Sequence, residues 1–348
     1  MFGKVAATVA ALLVIGQSVA AQSLEERVEW LEDQVAALWQ AIGAEDNGAA
    51  TALAELWQAL EANAPADVMV PAELVGNEHL RWGYPGGECT ILVNDYFVTC
   101  HDNANRVPSW VTYHLTAVDM LGDAERADDF RADNELRAGE RAELADYERS
   151  GYDRGHMAPA AAFKRSEEAM SQTFVLSNTA PQTPALNRQM WRMLEEDVRE
   201  VASNCANVWV FTGSLFLDED GGMIEPLTFI GENRVAVPTH FFKAIFASGE
   251  GSAVEVAEGA GDTEHAGDPG DAAPAAPAQP ASRPMLAAFV MPNQPEHLAG
   301  EPKDYVISID LLEALSGLDF FSALPDSVED ALERQTTSTW PTTNREEE

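Results

Sequence analysis

The run Asp153-Arg154-Gly155-His156-Met157-Ala158-Pro159, with the polar line from Asn178 to Glu195 that follows it, decides how this chain is read. It gathers an arginine, a histidine, two asparagines and a glutamate within about forty residues. Breaking a phosphodiester needs a base for water, positive charge at the phosphate oxygens and help for the leaving oxygen. A neutral imidazole is a suitable base near pH 7, which selects His156. On an extended segment positions i and i+2 share a face, so Arg154 and His156 can address one phosphate, with Gly155 allowing close approach between them. Asn187 stands at the apparent start of a helix, and Glu195 lies eight residues on, slightly over two turns away and on roughly the same side. An amide oxygen plus a carboxylate acting through water suits Mg²⁺, a hard cation that keeps most of its hydration. Each of these residues also has a structural reading: an asparagine before a helix is commonly an N-cap, and a helix glutamate commonly a solvated charge. The other histidines (His79, His101, His114, His240, His265 and His297) are read as structural.

The 348 residues carry a formal charge of −37, the wrong sign for long-range attraction to nucleic acid. Alone, that charge would favour a basic partner or life in high salt, where carboxylates are screened. Residues 149–199, however, hold seven Lys and Arg against six Asp and Glu, one third of the chain's 21 basic side chains. That local neutrality fits a groove for phosphate. A hydrophobic content of 46% with eight Trp argues for a packed core.

The start of the chain, Met1-Phe2-Gly3-Lys4 followed by apolar Val5–Ile15 and the small-residue exit Val19-Ala20-Ala21, reads as a secretory signal peptide over residues 1–21. It predicts a secreted or periplasmic protein with no stable membrane insertion after cleavage. Leu24, Val28, Leu31, Val35, Leu38 and Ile42 then repeat at spacings of 4, 3, 4, 3 and 4, a heptad stripe that predicts a coiled coil and homo-oligomer within residues 22–66. An amphipathic helix packed on its own domain is the competing reading. The catalytic domain is expected over residues 67–334, followed by a loose tail, 335–348.

Within that domain, Cys89–Val93 and Tyr96–Cys100 flank Asn94-Asp95 as a hairpin. Cys89 and Cys100 then either face each other as a disulfide or remain thiols beside Cys205. Trp110–Thr116 alternates as a half-buried strand, Gln189–Ala202 reads as a helix, and Val208–Thr212 as a strand ending at Gly213. Phe241–Phe246 and Ala287–Met291 are further strands. Between them, residues 250–283 are dominated by Ala, Gly, Pro and carboxylates, a composition that predicts a disordered surface insertion. A helix is expected from Leu311.

Asp153–Pro159 resembles the Asp-Arg-Gly-His motif of the non-specific DNA/RNA endonucleases, the group that includes endonuclease G. The likeness continues through Ser177-Asn178, Pro181-Gln182, Asn187, Trp191 and Leu194-Glu195. It extends to Thr212-Gly213, Val237–Lys243, Met291-Pro292-Asn293 and Leu318–Phe321, covering about residues 80–333. The resemblance implies an α+β fold, a central mostly antiparallel sheet flanked by helices, with a ββα-metal (His-Me finger) site. It implies His156 as general base, Asn187 as the Mg²⁺ ligand (Mn²⁺ as substitute), and Glu195 holding a water on the metal. It implies Arg154 on phosphate, Asn178 and Asp153 in positioning roles, and Arg126 in Glu125–Phe130 at the place of a transition-state arginine. Ala162 stands where relatives often carry an acidic residue, and both the heptad segment and the acidic insertion fall outside the pattern.

The expected function is Mg²⁺-dependent, sugar-non-specific cleavage of DNA and RNA giving 5′-phosphates. The alternatives are a catalytically inactive nucleic-acid or surface-binding module on a coiled-coil stalk, and a phosphodiesterase for small substrates.

Overall fold

The computed structural model describes residues 71, 74–205, 207–218, 221–248 and 284–324. The expected signal peptide, the heptad segment, the acidic insertion and the tail lie outside the described residues.

A seven-stranded sheet runs through the middle of the domain. Its strands are β1 (Thr90–Val93), β2 (Val98–Asp102), β3 (Val107–Thr116), β6 (Asn207–Leu215), β9 (His240–Ser248), β10 (Met285–Pro292) and β11 (Val306–Ile307), neighbours in that order. Every pairing in it is antiparallel. Strands β6, β9 and β10 are apolar almost without interruption, because both faces of the sheet are covered. Successive side chains go to opposite sides. On β9, Phe241 and Ile245 enter one core while Phe242, Ala244 and Phe246 enter the other. On β6, Val208 and Val210 oppose Trp209 and Phe211 in the same way.

The two cores differ in what covers them. One is closed by Leu74–Tyr84, by the helix α4 (Ile309–Ser316) and by Phe320-Phe321. The other is closed by the α3 helix (Trp191–Asn204) and by a small two-stranded sheet, β4 (Asp153–His156) against β5 (Thr179–Gln182). Two short helices, α1 (Leu144–Tyr147) and α2 (Glu167–Gln172), the two-residue strands β7 (Phe229–Ile230) and β8 (Val235–Ala236), and several single helical turns join these elements.

Several sequence expectations change in detail. Strand β3 is buried on both faces, not half-buried, since the Leu74–Tyr84 segment lies over its second side; Thr112 donates to the His79 carbonyl at 2.9 Å. Strand β6 runs past Gly213 to Leu215. Gly213 does not end it; a side chain there would collide with the Ser109 carbonyl and the Phe242 ring, so the glycine permits close strand packing. Helix α4 begins at Ile309, capped by Ser308, whose hydroxyl accepts from the Leu311 amide at 3.1 Å. Of the two cysteine readings the structure takes the disulfide: Cys89 and Cys100 are joined, and Cys205 stays outside it.

Candidate active site

The motif is strand β4, and its register sets the site. Gly155 lies opposite Ala180 and His156 opposite Thr179. Any side chain on Gly155 would run into Gln182, so the motif's glycine is required by the depth at which β4 seats on β5. Beyond His156 the chain is pinned by Asn178, which is fully buried. Its Oδ1 accepts from the Ala158 amide, and its Nδ2 donates to the carbonyls of Ala158 and Thr173, each at 2.9 Å. With its amide engaged inside the protein, Asn178 is placed to hold the backbone after the histidine rather than to touch a substrate.

The imidazole of His156 sits between two phenyl rings, Phe130 at 5.2 Å and Phe174 at 5.0 Å between centroids. The Arg154 guanidinium lies 4.0 Å over Phe130, and that of Arg126 lies 5.0 Å over Phe174. The two phenyls thus organise three of the candidate side chains, and neither was singled out in the sequence, where each reads as an ordinary core residue. Arg126 comes into place because its loop is strapped to the chain before Asn178: the Arg131 amide donates to the Phe174 carbonyl at 3.1 Å, and the Leu176 amide to Arg131 at 2.9 Å. Arg126 also pairs with Asp128 at 2.8 Å. Burial, then the charges of Arg126 and Arg154 against the opposing pull of Asp128, takes the His156 pKa down to about 3, so the ring is neutral near pH 7. Its Nε2 is closed off from solvent with no hydrogen-bond partner among the described residues.

Asn187 is not an N-cap. It lies inside a π-helical turn, Leu186–Met190, that leads into α3. The turn starts from Thr183, whose carbonyl accepts from the Asn187 amide at 2.9 Å. Asn293 anchors Thr183 in turn, accepting from its amide at 2.8 Å and donating to the carbonyls of Pro181 and Pro238. An i→i+5 turn holds more residues than the about 3.6 of an α-turn, so the eight residues from Asn187 to Glu195 come closer to two whole turns than in an unbroken α-helix. The Asn187 Nδ2 donates to Asp153 at 2.9 Å. Burial acts to raise the Asp153 pKa, but hydrogen bonds from Arg188 and Asn187 outweigh it and hold the carboxylate below its usual range.

Lys243 is the second group the sequence reading left without a role. It is fully buried in β9, 3.3 Å from the Thr212 hydroxyl and 4.7 Å from the centre of the Trp191 ring. A lone lysine in the apolar run Phe241–Phe246 was the available signal. Burial pushes the Glu195 carboxyl up, against the pull of Lys243 and Arg199, and pushes Lys243 down. Each is the other's nearby opposite charge. Of the remaining histidines, His79, His101, His114 and His240 are tied into hydrogen bonds away from this constellation. His297 is exposed, and His265 lies outside the described residues.

A histidine-bearing strand pair and an asparagine-bearing helix, with two arginines between, define a ββα nuclease. The family model for DNA/RNA non-specific endonucleases matches residues 75–265, and the chain belongs to that family. It is 36% identical over 247 residues to human mitochondrial endonuclease G, covering 70% of this chain and 73% of that protein. It is 34% identical over 251 residues to nuclease C1 of Cunninghamella echinulata var. echinulata, covering 70% and 88%. Among solved structures it is similar to one described as the EndoG/EndoGI complex, with a TM-score of 0.59 at 30% identity, covering 74% of this chain and 95% of that one. The protein is therefore a DNA/RNA non-specific endonuclease.

The expectation of a secreted or periplasmic location is corrected by the same comparison. The human, bovine, Schizosaccharomyces pombe and Saccharomyces cerevisiae relatives are mitochondrial nucleases. A short apolar start with small residues is a composition, and a composition does not carry a destination. Among the described residues no helix is long and apolar enough to cross a membrane.

Proposed function

We propose that this nuclease hydrolyses DNA and RNA with His156 as general base and one Mg²⁺, replaceable by Mn²⁺, held through Asn187, and that it leaves 5′-phosphates. The observation that carries the reading is the neutral His156 ring fixed between Phe130 and Phe174, with Arg154 and Arg126 stacked on those same phenyls.

The donor set fits this metal. With Nδ2 committed to Asp153, the Asn187 Oδ1 is free to ligate, and Glu195, two turns along the same helix and within the field of Arg126, is assigned to the cation's hydration. Among the described residues no group of three or more His, Cys, Asp or Glu could cage a metal. One protein oxygen with the rest water is a Mg²⁺ arrangement, unlike the closed nitrogen and sulfur sites of zinc. The bound cation would supply positive charge to the phosphate and to the leaving 3′ oxygen.

With Nε2 shut away, His156 meets water through Nδ1. It takes a proton as the water oxygen bonds to phosphorus and the bond from phosphorus to the 3′ oxygen breaks. Arg154 and Arg126 carry the charge gathering on the phosphate oxygens. A cleft of about 660 Å³ opens beside Arg126, where Lys164 and Arg165 face the carboxylates Asp123, Glu125 and Glu167. Asp153 and Asn178 serve as positioning residues. The segments 22–66 and 250–283 are assigned to self-association and to a surface insertion.

The test is cleavage of plasmid DNA by the His156→Ala variant, with and without EDTA for the wild type. Rate loss of about 10²- to 10⁴-fold is expected for a missing general base, and digestion should stop in EDTA. Near wild-type cleavage by the variant would overturn the mechanism.

A further inference from the structure

The carboxylate of Asp153 serves two partners at once. Its Oδ2 accepts from Asn187 Nδ2 at 2.9 Å and from Arg188 Nε at 2.8 Å, while its Oδ1 accepts from Arg188 Nη2 at 2.7 Å. A carboxylate only accepts, so Asn187 must turn its NH₂ toward Asp153 and its carbonyl oxygen the other way. Which way the amide points is therefore decided by where the Asp153 carboxylate stands. A guanidinium bound through two nitrogens fixes both the position and the plane of a carboxylate, which a single donor cannot do.

Arg188 follows Asn187 on the same π-helical turn, so the fork and the amide it orders are carried by one rigid piece of backbone. That piece is braced from the next turn: Arg192 Nε donates to the Arg188 carbonyl at 3.2 Å and its Nη1 pairs with Glu196. The Arg188 side chain itself is 67% exposed against 19% for Asp153, so the arginine contributes little to the core. As a surface ion pair it would be worth little stability. Its value lies in what it holds still. Left alone, Asp153 would be free to rotate and to compete with Asn187 as a hard oxygen ligand.

We propose that Arg188 is a positioning residue for the metal: by clamping Asp153 through both nitrogens, it sets the Asn187 amide with Oδ1 presented to a hard divalent cation. This rests on the reading of Asn187 as the ligand. It has an unusual sign. A cation next to a metal site repels the metal, so charge alone makes removal of Arg188 tighten binding. The clamp makes removal weaken it.

The experiment uses the full chain without nucleic acid. Mn²⁺ binding is followed by the loss of the free-ion electron paramagnetic resonance signal for wild type, Arg188→Ala, Arg188→Lys and Asn187→Ala, alongside the Mg²⁺ dependence of plasmid cleavage. Arg188→Ala should weaken Mn²⁺ binding about 3- to 10-fold, less than the roughly 10- to 100-fold typical of a partner bonded directly to a metal ligand, because Arg188 acts through Asp153. Arg188→Lys should recover part of the loss, and at saturating metal the Arg188→Ala turnover should return to within about two-fold of wild type. Unchanged or tighter Mn²⁺ binding in Arg188→Ala overturns the proposal. So does a raised KM for DNA with wild-type Mn²⁺ affinity, which would make Arg188 a phosphate contact. Unchanged Mn²⁺ binding in Asn187→Ala instead overturns the ligand assignment, and the clamp with it.

Discussion

The guanidinium of Arg154 lies 4.0 Å over the ring of Phe130, and the imidazole of His156 lies 5.2 Å from the same ring. One phenyl therefore sets the spacing between the proposed base and the proposed phosphate contact. An aromatic face attracts a cation more than an aliphatic surface does, and here the ring is half-buried, which strengthens the attraction.

Phe130→Leu keeps apolar volume but removes the ring face. The attraction at such a site is about 1 kcal/mol, which corresponds to about a five- to ten-fold loss of kcat if the arginine is needed only in the transition state. Steady-state kinetics on plasmid DNA should show the loss in kcat, with the melting temperature changed little.

Asn178 makes three hydrogen bonds while wholly buried. Asn178→Ala strands the Ala158 amide and the carbonyls of Ala158 and Thr173. Leaving buried groups unpaired costs about 1–3 kcal/mol each, so a stability loss of roughly 3 kcal/mol or more is expected. Urea unfolding should read it, and activity should fall with it. A variant as stable as wild type would show that the clamp is dispensable.

Lys243 and Glu195 are expected to fail separately and be tolerated together. Removing one member of a buried opposite-charge pair leaves the other uncompensated, at a cost of about 3–5 kcal/mol. Lys243→Met should therefore be strongly destabilised, and Lys243→Met with Glu195→Gln should regain much of that stability in denaturant melts. Activity should stay lost in the double variant, because the carboxylate proposed to address the metal's hydration is gone. Additive stability losses would mean that the two do not interact.

The acid sensitivity of the fold should trace in part to His79. Burial takes its pKa from 6.5 down to about 4, and its Nδ1 accepts from the His114 amide at 3.1 Å. Between those values the unfolded chain binds the proton and the folded one does not. The stability due to a neutral His79 is thus complete above about pH 6.5 and drains as pH falls toward about 4, roughly 3 kcal/mol in all. Urea melts at pH 7.5 and pH 4.5 should show wild type losing more stability between them than His79→Gln does. Equal losses would assign the acid sensitivity elsewhere.

The sequence alone determined the family and most of the elements. Strands such as β6 and β9 are legible because an unbroken apolar run of strand length has to be covered on both sides. The proposed base, the proposed metal ligand and the glycine between Arg154 and His156 are legible because chemistry restricts which residue types can do those jobs. Tertiary structure decided what depends on neighbours distant in the chain. Phe130 and Phe174 lie 44 positions apart and meet only when the Arg126 loop is strapped to the chain before Asn178. Asn187 looks like a helix cap until β4 brings Asp153 to its amide, and Lys243 looks misplaced until α3 lays Trp191 and Glu195 above it. A sequence pattern records what a residue can do. Which partner it finds, and so which way an amide turns or whether an imidazole is charged, is set by packing.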